Sequence, residues 1–295
     1  MARAHSAAKK TMKPPKKGAG SNGSGLPDFA KPPAVETLLG LHFKPLAGWS
    51  VPHFGLFWNA IKRNYPQVEV HPPITSEMAL KFEVDPRRVQ FQLTSEVPVR
   101  CWFIHKSGSR LIQVQNSSFI QNWRKPAAGA EYLHYDDLWP TFIEMWGAFR
   151  RFLSGNSVEQ PSITDCEVTY INHIDRGEGW DHFAQLSEII PAWCGEGSGN
   201  FLPAPLSVSI NAFYPIKDNA GRLEITVQPG VRKADGKETI QLVLTAKCRP
   251  QSPDVRDLKN CLDLAREWVV RGFDDFTSER MHEVWQKRAR KEMKL

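Results

Sequence analysis

Two places in the 295-residue chain carry side chains whose types and spacing could do chemistry. The first is His173, in CEVTYINHID, with Glu167 before it and Asp175 after it. An imidazole beside a carboxylate can act as a general base or as one ligand of a metal. A lone histidine on a strand is more often a hydrogen-bonded structural residue. The second place is LIQVQNSSFIQNWRK, residues 111–125. It reads as two short strands and a turn, yet it carries amides where a core hairpin would carry Val and Ile. If the turn centres on residues 116 and 117, Gln115 lies near Ser118 and Gln113 near Ile120. Residues i and i+2 share a face of a strand. Gln113, Gln115, Asn122 and Arg124 then form one polar strip, while Val114, Phe119 and Trp123 point into the core. A slip of one residue would exchange the faces. The strip is either the wet face of an antiparallel sheet or the wall of a polar cavity, with Asn172 and His173 of the second half nearby. Amides and a guanidinium suit recognition of a carboxylate, a base or a peptide backbone. They do not titrate as acid–base catalysts must.

Other chemistry finds little support. The chain has no H-E-x-x-H, no G-x-S-x-G, no Walker-type phosphate loop and no deaminase pair. GEGSGN, residues 195–200, is glycine-rich but does not sit between a strand and a capped helix, so it reads as a loop or lid rather than a phosphate cradle. The nine histidines form no H-x-H or H-x-x-x-H pair. The five cysteines, Cys101, Cys166, Cys194, Cys248 and Cys261, form no C-x-x-C. Reduced thiols in a cytoplasmic core are expected, with no disulfide framework, metal or cofactor.

The elements that must position these residues alternate strand and helix. VETLLGLHFKPL reads as a strand. VPHFGLFWNAIKRNY reads as a helix, with Phe54, Phe57, Trp58, Ile61 and Tyr65 at helical spacing. VEVHPPI reads as an extended connector. RVQFQL (88–93), VRCWFIH, RLIQVQ and SFIQNWR read as an antiparallel meander. LWPTFIEMWGAFRRFL follows as a helix capped by Asp136 or Asp137, with Pro140 in its first turn. The second half echoes this order: a strand over 165–174, a short helical piece over 181–190, and strands over 207–215, 222–230 and 238–249. A long helix then starts from Ser252 as cap, with a stripe of Leu258, Leu262, Ala265 and Val269. The fold class expected is α+β, with two antiparallel-sheet halves, each roughly β-α-β-β-β-α, and long helices packed on the sheets. The halves span 31–157 and 158–295, and no obvious linker separates them, so they can share one core.

The net charge of +6 belongs to the N-terminal tail. Residues 1–26 hold six Lys and Arg and no acid, and the rest of the chain holds 32 basic against 32 acidic residues. A nucleic-acid partner is therefore expected only through tail residues 1–26. Residues 1 to about 30 are poor in apolar side chains and read as disordered. No apolar run reaches the length of a membrane span.

LLGLHFKPL, HFGLFWNAIKRNYPQVEVHPPI, LIQVQNSSFIQNWRK, CEVTYINHI and AREWVVRGFDDFTSERMHEVW together resemble a sporadically distributed, uncharacterised family of bacterial proteins. Q-x-Q-x-x-x-F-x-x-N-W-R and Y-I-N-H-I are its most distinctive strings. The resemblance covers residues 35 to about 287 and leaves the basic tail outside. It implies an accessory gene, in a mobile or defence-type neighbourhood, and brings no catalytic residue. The function expected is a non-enzymatic binding or interaction module for a protein segment or small ligand. A hydrolase using His173 with Glu167 or Asp175 is the alternative, and a nucleic-acid binder acting through the tail is the third.

Overall fold

The computed structural model describes residues 25–74, 99–126, 133–193, 201–203, 205–232 and 235–288. Most of the basic tail, the expected strand over 88–93, GEGSGN and Cys194 lie outside these residues. The class is α+β, as expected. Nine strands form one antiparallel sheet, which strands of both expected halves join. In chain order these are β1 (Ala34–Phe43), β2 (Gln67–His71), β3 (Arg100–Ile104), β4 (Arg110–Gln115), β5 (Ser118–Arg124), β6 (Ile163–Asp175), β7 (Ile210–Ile216), β8 (Gly221–Val231) and β9 (Glu238–Cys248). Their order across the sheet is β2-β3-β4-β5-β1-β6-β9-β8-β7. β1 and β6 lie side by side at the centre, with Leu39 opposite Val168 and Leu41 opposite Cys166. β2, expected as a connector, is an edge strand paired along its whole length with β3. Pro72 and Pro73 end it rather than preclude it.

The helices are α1 (Val51–Ile61), α2 (Tyr135–Gly155), α3 (Leu186–Ile189), α4 (Val255–Phe276) and α5 (Glu279–Val284). Two helix starts differ from expectation. His134 caps α2, which places Asp136 and Asp137 inside its first turn and Pro140 beyond it. Asp254 caps α4, while the Ser252 hydroxyl accepts from the Asp254 N–H and donates to Asp257. The expected stripes are correct because the 3.6-residue period does not depend on where a helix begins. Leu258, Leu262, Ala265 and Val269 are all buried, and α4 packs over β6 and β9. α2 covers β1 and β5, with Phe149 and Trp146 against Phe43 and Phe119. α1 lies outside α2, where Phe57 meets Phe103 of β3 as well as Phe149 and Phe152 of α2.

Gly221 is set by close approach, because a Cβ there would lie 1.9 Å from the Lys247 carbonyl oxygen. The N-terminal segment is tied down by α5 and the turn after it: the Ala30 and Lys31 N–H groups donate to the carbonyls of Gln286 and Trp285, and the Arg288 N–H donates to that of Asp28. No helix of the described residues is long and apolar enough to cross a membrane.

Candidate functional site

The 111–125 hairpin has the expected register, with Gln115 opposite Ser118 and Gln113 opposite Ile120. Val114, Phe119 and Trp123 face the helices, and Gln113, Gln115, Asn122 and Arg124 share the other face. That strip lines neither solvent nor a cavity: Gln113, Gln115 and Asn122 are 2–4% exposed, and their bonds are made within the chain. Gln113 Oε1 accepts from Arg100 Nη1 and Trp102 Nε1, both at 2.8 Å. Gln113 Nε2 donates to Asn122 Oδ1 at 2.7 Å, and Asn122 Nδ2 donates to Glu36 Oε1 at 2.5 Å. Arg124 Nε reaches the same Glu36 oxygen at 3.1 Å, and its guanidinium lies 4.5 Å from the Trp102 ring centre. His71 stacks on Trp102 at 3.7 Å. Gln115 does recognise a peptide backbone, but that of its own chain: its amide accepts from the Ile74 N–H and donates to the Ile74 carbonyl, both at 2.9 Å. Buried amides are tolerated when each atom is paired, and this network pairs four strands by their side chains as well as their backbones.

Asn172 and His173 do not join the strip. They are consecutive on β6 and so point to opposite faces. Asn172 faces the helices, donates to the Leu242 carbonyl at 3.0 Å, and borders a small cavity of about 70 Å³ with Tyr135, Tyr170 and Arg266. His173 shares the strip's face, and its Nε2 accepts from the Gln241 amide at 3.3 Å. Burial pushes its pKa below the ordinary value and Arg232 adds to this, against the opposing pull of Asp175. Asp175 is itself held by Arg232 at 2.7 Å and Lys237 at 3.5 Å. Glu167 lies six residues from His173 on one strand, roughly 20 Å away at the usual rise. The structure therefore leaves His173 without a carboxylate bonded to it.

Glu167 has a different partner, which the sequence reading missed. His42 Nε2 lies 2.7 Å from Glu167 Oε2, and Lys247 Nζ lies 3.3 Å from the same oxygen. The Thr169 hydroxyl donates to Glu167 Oε1 at 3.0 Å. The cluster spans β1, β6 and β9 at the centre of the sheet. Gly40 leaves room for it, since a Cβ there would stand 3.2 Å from Ile120 and 3.5 Å from the Glu167 Cβ. Burial alone pushes the Glu167 carboxyl up. The His42 bond and charge, Lys247 and Thr169 outweigh it and bring the pKa down to about 2. His42 is 3% exposed, which closes this dyad to a substrate. Its consequence is registry: a one-residue slip would put the charge on the other face, unpaired. The signal available in the sequence was a charged residue inside each of two apolar runs, LLGLHF and CEVTYI.

The four described cysteines are buried and unbridged. Cys166, Cys248 and Cys261 meet between the sheet and α4. The Cys261 and Cys166 thiols, together with burial, push the Cys248 and Cys261 pKa values up, which makes them poor nucleophiles. Among the described residues, no group of three His, Cys, Asp or Glu could hold a metal ion.

The largest opening described lies on the helix face, between α4 and the β7–β8 edge. It is an open cleft of about 970 Å³. Tyr214 and Ile216 of β7 and Leu223 and Ile225 of β8 form its floor, and Trp268 and Phe276 of α4 form its wall. Tyr214 is 40% exposed, and the neighbouring Phe213, on the other face, 53%. No sequence signal singled out this cleft. Its walls belong to ordinary amphipathic elements, and only their spacing makes an opening.

Compared with protein-family models, with curated proteins and with solved structures, the chain matches none.

Proposed function

We propose that the protein is a non-enzymatic binding module that takes an apolar protein segment in the cleft between α4 and the β7–β8 edge. One observation carries the reading: a sheet closed by helices over most of its length leaves apolar floor uncovered at this end. Pockets that are mostly apolar with a few polar groups at the rim are the usual form of binding sites. The amide hairpin then serves as scaffold. Under the same proposal the sheet is built from two related halves that meet between β1 and β6. Read outwards from that line, one side runs β1-β5-β4-β3-β2 and the other β6-β9-β8-β7. An accessory bacterial protein, as the resemblance implies, fits a binding role.

Panning the full-length protein against a displayed peptide library tests this. The expected result is a set of sequences that bind the native protein and lose at least tenfold in affinity on Tyr214→Asp or Trp268→Asp. Both residues are partly exposed, so neither change should unfold the chain. Failure to enrich any sequence sensitive to these changes would overturn the proposal.

A further inference from the structure

Resting on the cleft reading, the geometry points to the form of the segment: we infer that the cleft receives an amphipathic α-helix from a partner protein, with acidic residues along one flank. The first argument is internal. If β1 and β6 correspond, then β4 corresponds to β8, β3 to β7 and α2 to α4. In the first half, the place beside α2 and over β3 is filled by α1, whose Phe57 stacks on Phe103, Phe149 and Phe152. The corresponding place beside α4 and over β7 is the cleft. The connection between β6 and β7 supplies no helix there. It holds only the four-residue α3, which packs elsewhere: its Ile189 carbonyl accepts from the Ser278 N–H at 2.9 Å, at the start of α5. The missing piece is one amphipathic helix about three turns long, like the 11 residues of α1.

The second argument is charge. On the strand side of the rim stand Lys217 and Arg249, and neither forms an ion pair among the described residues. On the helix side, Arg271 is taken up by Glu267 at 2.8 Å, and Asp275 forms no ion pair. Two uncompensated cations beside an apolar floor favour carboxylates on the flank that faces them. A helix lying in a groove is read by anchors at i, i+3, i+4 and i+7, the spacing of Phe54, Phe57, Trp58 and Ile61 in α1.

The test uses three labelled synthetic peptides of 16 residues and the full-length protein, read by fluorescence anisotropy. One is a helix with aromatic anchors at the α1 spacing and Glu along one flank. The second carries Lys on that flank. The third has the composition of the first in strict alternation, as a strand would need. The Glu-flanked helix is expected to bind at least tenfold more tightly than the other two. Lys217→Glu with Arg249→Glu should invert the preference between the first two. Equal binding by the alternating peptide would overturn the helix in favour of strand addition at β7, leaving the binding-module reading intact. Binding of no peptide that responds to Tyr214→Asp would overturn both. Phe201, Leu202 and Leu206, 74–95% exposed just before β7, supply an internal competitor. If the helix binds only after these three are changed to Ser, the cleft belongs to the chain's own connection, and the partner is overturned.

Discussion

On the helix face, the first half of the sheet is closed and the second is not. α2 and α1 lie side by side over β1, β5 and β3, and Phe57 is fully buried where they meet. α4 alone covers β6 and β9, and the floor beyond it, over β8 and β7, stays open. The other face shows a related contrast. In the first half its residues are buried, with Leu111 and Ile120 at 1% and the amide network closed. In the second half Ile171, Val243, Thr245 and Thr226 on that face are only half-buried. One half is therefore built as a three-layer core, and the other presents surface. Packing has been completed where it stabilises and left incomplete where a partner can use it.

That difference can be broken by substitution. The largest expected effect is at Phe57. Phe57→Ala removes a ring with three aromatic neighbours and leaves a cavity under α1, at a cost of about 4 kcal/mol in urea unfolding. A cost under about 1 kcal/mol would show that α1 does not close the first half. Next comes the seam between the halves. Glu167→Gln removes the counter-charge of buried His42 and Lys247 and should cost about 3 kcal/mol near neutral pH. The Glu167 pKa is depressed in the folded chain, from 4.5 to about 2. Its contribution is therefore complete above about pH 5 and is lost as pH falls towards 2. Thermal melts of the native protein and of Glu167→Gln from pH 7 to 3 should converge as the pH drops. Parallel curves would remove Glu167 from the acid limb.

A smaller effect is expected inside the network. Gln113→Leu leaves the Trp102 N–H and the Asn122 carbonyl oxygen without their bonds, at about 2 kcal/mol. A neutral result in denaturant melts would mean that water replaces the amide and that the face is wetter than its burial shows. The smallest effect is in the cleft. Trp268→Ala should cost under about 1 kcal/mol, because its ring lines an opening rather than filling a core. A loss as large as that at Phe57 would erase the contrast between the halves.

Much of the fold was legible along the chain. The period-2 pattern of RLIQVQ and SFIQNWR gave the hairpin faces and register, because alternation and a two-residue turn leave one pairing with Phe119 and Trp123 inside. The 3.6-residue stripe of Leu258, Leu262, Ala265 and Val269 gave the buried side of α4. β2 was missed because its four first residues are exposed on an edge, where the apolar pattern carries no weight. The cap of α4 moved by two residues because Ser252 and Asp254 are equally good acceptors for N-terminal N–H groups. The amides of the hairpin were read in the right places, but whether they met solvent, ligand or one another depended on what lay across them.

The sequence by itself determined the class, the faces of most strands and helices, and the confinement of excess positive charge to the tail, because these follow from local period and composition. The tertiary structure alone decided three things. It joined the strands into one sheet with β1 beside β6, it brought His42 and Glu167 together across 125 positions, and it left a gap between α4 and β7. Each is a relation between segments far apart in the chain. Such a relation depends on which backbone edge finds which partner and on how many helices a face receives, and no window of residues encodes that count.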